Sequence, residues 1–189
     1  IRDLLDMRTG VNFIEDYLAT SGLMIDYRKA TNWNPLGNSE APSDLRSFYH
    51  LLDKKNHPDG QRFNYVSPNS DLLGWIIERS TGERFSDLLS DLFWKPLGAT
   101  MPSYITVDRL GAPRVAGGLC TTAIDLALVG QLFLDNGFTN GQQILPRNWL
   151  QDIQKNGSRD AWLEGNFVEY FPNMDMHYRS KWYVDHGSN

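Results

Sequence analysis

The feature that most limits what this chain can become is a succession of short helical patterns, each closed by glycine or proline, with few extended runs among them. Ile1, Leu4 and Leu5 share one helical face in a segment that Gly10 stops. Ser43 can cap a helix that turns Leu45, Phe48, Leu51 and Leu52 inward and ends near Lys54-Lys55, where cations favour the negative end of the helix dipole. Leu72, Leu73, Ile76 and Ile77 mark an amphipathic run that stops at Thr81-Gly82, and a further helix is predicted over 86–93, closed by Lys95-Pro96-Leu97-Gly98. Over 123–134 the residues Leu126, Val129, Leu132 and Phe133 form an apolar stripe ended by Asn136-Gly137, and a last helix starts near Pro146 or Arg147. The strand signals are a short candidate at 105–107 and a terminal one at 181–184. Between Val11 and Pro42 the pattern loosens into an irregular, aromatic-anchored excursion, and Pro58-Asp59-Gly60 reads as a turn. The extended piece 61–69 then delivers Tyr65 and Ser67 to the start of a helix.

Composition removes several classes of function. With 189 residues, 41% of them hydrophobic, the chain can bury one core, as a single domain or a large piece of one. Its 18 basic residues are dispersed among 23 acidic ones for a net charge of −5, so no phosphate-tracking surface is expected and nucleic acid is not an expected partner. The one cysteine, Cys120, forms neither an internal disulfide nor a thiolate cluster, and is expected to be a small buried residue and no nucleophile. No apolar run approaches the roughly 20 residues that span a bilayer. The four histidines lack metal-ligand spacing and are expected to be solvated or locally hydrogen-bonded, so no metal is expected. No phosphate-cradling glycine loop, dinucleotide fingerprint, HExxH, G-x-S-x-G or Ser-x-x-Lys is present. The opening Ile1-Arg2-Asp3-Leu4 resembles neither a signal peptide nor a natural domain start, which implies a preceding segment.

The positive signal is an ordered set of phrases. Ile1-Arg2-Asp3-Leu4-Leu5-Asp6-Met7-Arg8-Thr9-Gly10 is followed by Phe63-Asn64-Tyr65-Val66-Ser67, then Leu72-Leu73-Gly74-Trp75-Ile76-Ile77-Glu78, Trp94-Lys95-Pro96-Leu97-Gly98, and Ala116-Gly117-Gly118-Leu119 with Asp125-Leu126. Each phrase alone is unspecific. In this order they closely resemble the penicillin-recognising serine hydrolases over nearly the whole chain. Tyr17, the Tyr65-Val66-Ser67-Pro68-Asn69 stretch, Phe171-Pro172 and Arg179-Ser180-Lys181-Trp182-Tyr183 are most similar to the 6-aminohexanoate-dimer hydrolase and esterase branch. The resemblance implies an α+β fold of the β-lactamase/DD-peptidase type, with residues 1–189 forming one segment: mainly the helical region plus the start of the sheet. It also implies a cofactor-free attack of a serine on a small-molecule amide or ester, with lysine and tyrosine moving protons and water releasing the acyl group. The Ser-x-x-Lys motif is expected upstream and the third motif downstream. His186-Gly187-Ser188-Asn189 is expected to be the loop before that third motif.

By the same resemblance Tyr65 stands at the catalytic tyrosine, ahead of a helix whose positive end can favour the phenolate. Ser67 occupies a position that is asparagine in many β-lactamase-type relatives. A hydroxyl cannot offer both a carbonyl and an amide, which argues against β-lactam turnover, and Asn69 is a possible substitute. Tyr17 can close over a bound acyl group. Asp26 lies near an acidic residue that attracts the substrate's ammonium in aminohexanoate-cleaving relatives, and Glu169, between Phe167 and Phe171, lies on a lining loop where it can bind a cation. Gly117 and Gly118 are expected to allow close backbone approach. The alternatives are a β-lactamase or D-alanyl-D-alanine peptidase, and a non-catalytic binding protein of the same fold, which an absent upstream Ser-x-x-Lys would identify. Compartment, oligomeric state and substrate are left open by the sequence.

Overall fold

Local rules decide most of the helix ends. In the computed structural model, which describes residues 1–53 and 57–187, α1 (Arg2–Leu5) stops short because Met7 takes a left-handed φ of 53° that no helix continues through. Helix α2 (Leu23–Ala30) buries Met24, Tyr27 and Ala30, a spacing of three that keeps them on one face. Helix α3 (Leu45–Phe48) is capped by Asp44 rather than the predicted Ser43. The Asp44 carboxylate accepts from the Arg46 and Ser47 N–H groups at 2.9 and 3.1 Å, and the Ser47 hydroxyl accepts from the Asp44 N–H at 3.1 Å. This helix passes into a 3₁₀ turn at Tyr49–Leu51, which leaves Leu51 exposed instead of inward, and the predicted end at Lys54-Lys55 lies outside the described residues.

Helix α4 (Ser67–Thr81) begins before the amphipathic run, with Pro68 in its first turn, and is ended by Gly82 at φ 76°. Its Gly74 is required by packing, since a Cβ there would lie 2.4 Å from Cγ2 of Val115. Helix α5 (Phe85–Leu89), a π turn (Ser90–Trp94) and α6 (Lys95–Leu97) form one helical stretch longer than the predicted 86–93. Strand β1 (Tyr104–Ile105) pairs antiparallel with β2 (Leu119–Cys120), Tyr104 opposite Cys120. Helix α7 (Ala123–Leu134) has the predicted bounds, with the Thr122 hydroxyl accepting from the Asp125 N–H at 3.1 Å. Of its predicted stripe only Leu132 is buried, and Leu126 is 60% exposed.

The hairpin of β3 (Phe138–Thr139) and β4 (Gln142–Gln143) has no counterpart in the sequence prediction, because two-residue strands carry no readable period. Helices α8 (Arg147–Lys155) and α9 (Arg159–Leu163) and a 3₁₀ turn at Val168–Tyr170 lead to β5 (Met176–Arg179), which pairs antiparallel with β6 (Trp182–Asp185). The terminal strand is therefore half of a hairpin, and His177 is buried within it, hydrogen-bonded to His186 and the Ile153 carbonyl at 2.7 Å each. Among the described residues no helix is long and apolar enough to cross a membrane.

The main core joins Phe13, Tyr27 and Phe48 to Phe63, Trp162 and Tyr178, and a smaller one holds Trp94, Leu97 and Leu132. Phe63 lies at the junction, its ring 5.1 Å from Trp162 and 4.8 Å from Tyr178. An ion network fixes the β5–β6 turn against α1. Arg179 grips Asp152 through Nε and Nη2 at 2.9 and 2.8 Å and donates through Nη1 to buried Asp6 at 2.8 Å. Asp6 also accepts from the Ser180 N–H at 2.9 Å, and the Lys181 N–H donates to the Leu5 carbonyl at 3.1 Å. These bonds hold Ser180 and Lys181 at φ 49° and 72°, a turn usually given to Asn-Gly.

Asp6 is almost wholly buried, and without Arg179 it keeps only the longer pair with the half-exposed Arg2 at 3.6 Å and the Ser180 N–H. Arg179→Met is expected to destabilise the protein by about 1–3 kcal/mol, the scale of a buried acceptor left partly unsatisfied, measured by chemical denaturation. A loss within experimental error of zero would show that the network carries no stability.

Candidate active site

Two backbone hydrogen bonds present Tyr65: the Phe63 N–H donates to the Ala161 carbonyl at 2.8 Å and the Asn64 N–H to the Met7 carbonyl at 2.7 Å. The Tyr65 N–H donates to Oδ1 of Asn166 at 3.0 Å, and its ring stacks on Phe167 with centroids 5.0 Å apart. Ser67 opens α4 and is buried. Its N–H donates to Oε2 of Glu15 at 2.6 Å, and its hydroxyl donates to the same carboxylate. Glu15 accepts a third bond, from the Tyr17 hydroxyl at 2.7 Å. Tyr65, Ser67, Glu15 and Tyr17 line a cavity of about 650 Å³, whose other walls include Tyr27, Trp33, Arg114 and the backbone at 116–118.

The wall opposite α4 is held by Asp71, a buried α4 carboxylate. Its Oδ2 accepts from the Tyr27 hydroxyl and its Oδ1 from the Ala116 N–H at 2.8 Å. Burial pushes the Asp71 carboxyl up to about 6, even though both hydrogen bonds favour the charged form. Gly118 is needed in the same segment, because a Cβ would lie 2.4 Å from the Thr106 hydroxyl and 2.5 Å from the Arg114 carbonyl. At Gly117 a Cβ would meet open space, so close approach applies to one glycine of the pair. Cys120, expected to be buried, is exposed and lines the cavity, because β2 lies at the rim.

The electrostatics correct one expectation. The positive end of α4 is taken by the Glu15 carboxylate, so it does not draw Tyr65 toward the phenolate. Burial raises the Tyr65 phenol first, the Glu15 charge raises it further, and the hydrogen bond with Ser67 opposes both. Tyr17 is raised too, by burial and then by its hydrogen bond to Glu15. Both phenols are proton donors in this arrangement.

Of the candidate residues, Tyr17, Tyr65 and Ser67 come together around the cavity. Asn69 does not: two positions along a helix is about 200° of rotation, and its amide donates to the Thr9 hydroxyl at 2.9 Å in the interior. Asp26 leaves the cavity for the same reason. It lies two residues after Met24 on α2, where it borders a separate groove with Lys29 and Glu40. Glu169 is exposed, and its loop reaches Tyr65 through Phe167 instead. Sequence reasoning missed Glu15, Asp71, Trp33 and Arg114. Glu15 sits 52 residues from Ser67, in a stretch that reads as plain amphipathic surface. The one available signal for Asp71 was an acidic residue inside an otherwise apolar helix face.

A model of the Beta-lactamase family matches residues 1–165, and the chain belongs to that family. It is 31% identical over 183 residues to the 6-aminohexanoate-dimer hydrolase of Paenarthrobacter ureafaciens, covering 97% of this chain and 45% of that protein. The chain thus spans just under half the length of that curated relative. A provisionally named 6-aminohexanoate-dimer hydrolase from Bacillus anthracis superposes with a TM-score of 0.81 at 25% identity, over 99% of this chain and 47% of that one. The octameric penicillin-binding protein homologue from Pyrococcus abyssi shares the fold, with a TM-score of 0.63 at 17% identity over 96% of this chain and 42% of that one. The fold is therefore of the β-lactamase and penicillin-binding protein type, α+β, here represented mainly by helices with short strands.

Because Glu15 raises the Tyr65 phenol, Glu15→Gln is expected to shift Tyr65 titration to lower pH, followed by NMR of ring-labelled tyrosine. An unchanged or higher titration would show that the Glu15 charge does not act on Tyr65.

Proposed function

We propose that the intact protein is a serine hydrolase that cleaves an amide or ester bond of a small molecule through an acyl-enzyme, with Tyr65 as a catalytic proton carrier. The observation that carries this reading is the convergence of Tyr65, Ser67 and Tyr17 on one cavity in a chain of the Beta-lactamase family. The similarity to the 6-aminohexanoate-dimer hydrolase supports it. On this reading the nucleophilic serine and its lysine belong to a Ser-x-x-Lys motif outside residues 1–189, and the third motif also lies outside them.

The chemistry follows from the protonation states. The serine hydroxyl adds to the carbonyl carbon and its proton passes to the neighbouring base. The bond to the leaving amine or alcohol then breaks as that group receives a proton, and water repeats the sequence to free the acid. Tyr65, kept protonated by burial and by Glu15, is suited to give its proton to the leaving group. A lysine ammonium brought beside it would offset the Glu15 charge and allow the phenolate to take a proton back. Tyr17, whose hydroxyl donates to Glu15, would on this reading close over the bound acyl group.

In the intact protein Tyr65→Phe is expected to lower kcat on a p-nitrophenyl ester by about a hundredfold or more, the scale of a lost general acid or base. A near-normal rate would remove Tyr65 from the mechanism.

A further inference from the structure

The open end of the β5–β6 hairpin is tied by two histidines that take no part in the proposed hydrolysis. His177, on β5, is buried, and its ring fills the space a side chain at Gly157 would need: a Cβ there would lie 1.9 Å from Cδ2 of His177. Its Nε2 lies 2.7 Å from the Ile153 carbonyl on α8, and its Nδ1 lies 2.7 Å from Nε2 of His186, the residue after β6. A carbonyl only accepts. In the neutral ring Nε2 of His177 therefore carries the proton, Nδ1 is left as an acceptor, and His186 donates to it through Nε2. The His186 N–H donates in turn to the Asp175 carbonyl at 2.8 Å, which closes the hairpin's open end.

The two rings answer a proton differently. A proton added at Nδ1 of His186 leaves both hydrogen bonds standing. A proton added at Nδ1 of His177 removes the acceptor and sets one N–H against another, and among the described residues no carboxylate forms an ion pair with either ring to offset the charge. The charged side chains on the elements packed around the pair are Arg147, Asp152 and Lys155 on α8, Arg159 and Asp160 on α9, Arg179 on β5 and Asp185 on β6. Of the carboxylates, Asp152 is held by Arg179, Asp185 accepts from the Gly187 N–H at 3.0 Å, and Asp175, just before β5, is paired with Arg159 at 2.9 Å. Burial holds the His177 imidazole below the ordinary histidine range, its bond to the Ile153 carbonyl opposes this, and the charges of His186, Arg159 and Arg179 add to the lowering. The folded value lies below the unfolded one. The stability His177 contributes is thus fully present above about pH 6.5 and is lost as pH falls through the folded value.

We propose that His177 and His186 form an acid-released latch: a proton taken from solvent at Nδ1 of His177 breaks the bond between the rings and frees the chain at His186 from Asp175. The latch belongs to the hairpin and does not depend on the hydrolase reading. It bears on the Tyr65 cavity through packing. Tyr178 and Tyr183 of the same hairpin lie against the Phe63 ring, with centroids 4.8 and 6.4 Å away, and Phe63 stands two residues before Tyr65. Release of the hairpin end therefore slackens the support behind Tyr65, as protonated histidines do when they open an interface.

The test is NMR of the intact protein with isotope-labelled histidine, together with amide hydrogen exchange, from about pH 8 down to about pH 4.5. At the upper end His177 is expected to carry its proton on Nε2 and none on Nδ1. Exchange of the His186 amide, corrected for the intrinsic rate, is expected to rise at least about tenfold over the pH step in which His177 takes its second proton. His186→Phe removes both the donor and the neighbouring charge, so His177 should take that proton about one pH unit higher, a tenfold gain in proton affinity. His177→Gln keeps a donor for the Ile153 carbonyl but cannot titrate, and should abolish the pH step at His186; His186→Phe decides the matter if this variant does not fold. A proton on Nδ1 of His177 at neutral pH, protonation of His177 without faster exchange at His186, no protonation of His177 before the protein unfolds, or an unmoved His177 titration in His186→Phe would each overturn the latch. The Phe63 amide, which donates to the Ala161 carbonyl, reads the link to the cavity. A step at His186 accompanied by one at Phe63 supports that link, and a step at His186 alone upholds the latch and removes the link.

Discussion

A single carboxylate, that of Asp71, holds the cavity together. It projects from α4 and takes a proton-donating group from each of two other walls: the Tyr27 hydroxyl on α2 and the Ala116 N–H in the segment that carries Arg114 and Gly118. Gly74 lets that segment approach α4 to the point where Val115 fills the space of a side chain. Three pieces of chain that are distant in sequence therefore meet at one buried acceptor, and the cavity exists because they do. The energetic cost is visible in the carboxyl itself, which burial pushes up to about 6. Its folded value lies above the unfolded one, so the stability it contributes is fully present below about pH 4 and is lost as pH rises through about 6. Asp152 runs the other way. The Arg179 guanidinium holds its carboxyl near 2, so its contribution is present above about pH 4 and falls away as the pH drops toward 2. The two groups give the fold opposing acid responses, one at the cavity and one at the β5–β6 turn.

Glu15 sets the character of the reactive end. A helix N-terminus offers unpaired N–H groups and a positive potential to whatever lies before it, and in this chain both go to Glu15 through Ser67. Tyr65, which lines the same cavity as that carboxylate, feels a negative charge where a bare helix end would have supplied a positive one. The consequence is a phenol held in its protonated form.

How far the sequence was legible follows from the range of each interaction. Helix α7 was located to the residue because its cap, its apolar period and its Asn-Gly stop are all local. Helix α4 was placed through Thr81-Gly82, but its first turn, Ser67 to Asp71, is polar and buried, which defeats a search for amphipathic spacing. The β3–β4 hairpin and strand β5 were invisible for the reason that short pairing is fixed by the partner and not by the strand's own pattern. Tyr65, Tyr17 and Ser67, singled out through an ordered set of phrases, line one cavity, whereas helical rotation carries Asp26, singled out by resemblance to an acidic residue of relatives, and Asn69 away from it. Glu15 and Arg114 had no signal of that kind, since each acts on partners brought to it only by the completed fold. Exposure of Ile124, Leu126 and Leu134 on α7, which a closed core would have covered, likewise follows no local rule.

The central claim is that this chain supplies the tyrosine side of an acyl-transfer site and that the nucleophile lies outside residues 1–189. Labelling the intact protein with a fluorophosphonate and mapping the modified residue by mass spectrometry tests it most directly. The account predicts one adduct, on the serine of a Ser-x-x-Lys sequence beyond these residues. An adduct on Ser67 or another serine within residues 1–189, or no adduct on a folded intact protein, would contradict it.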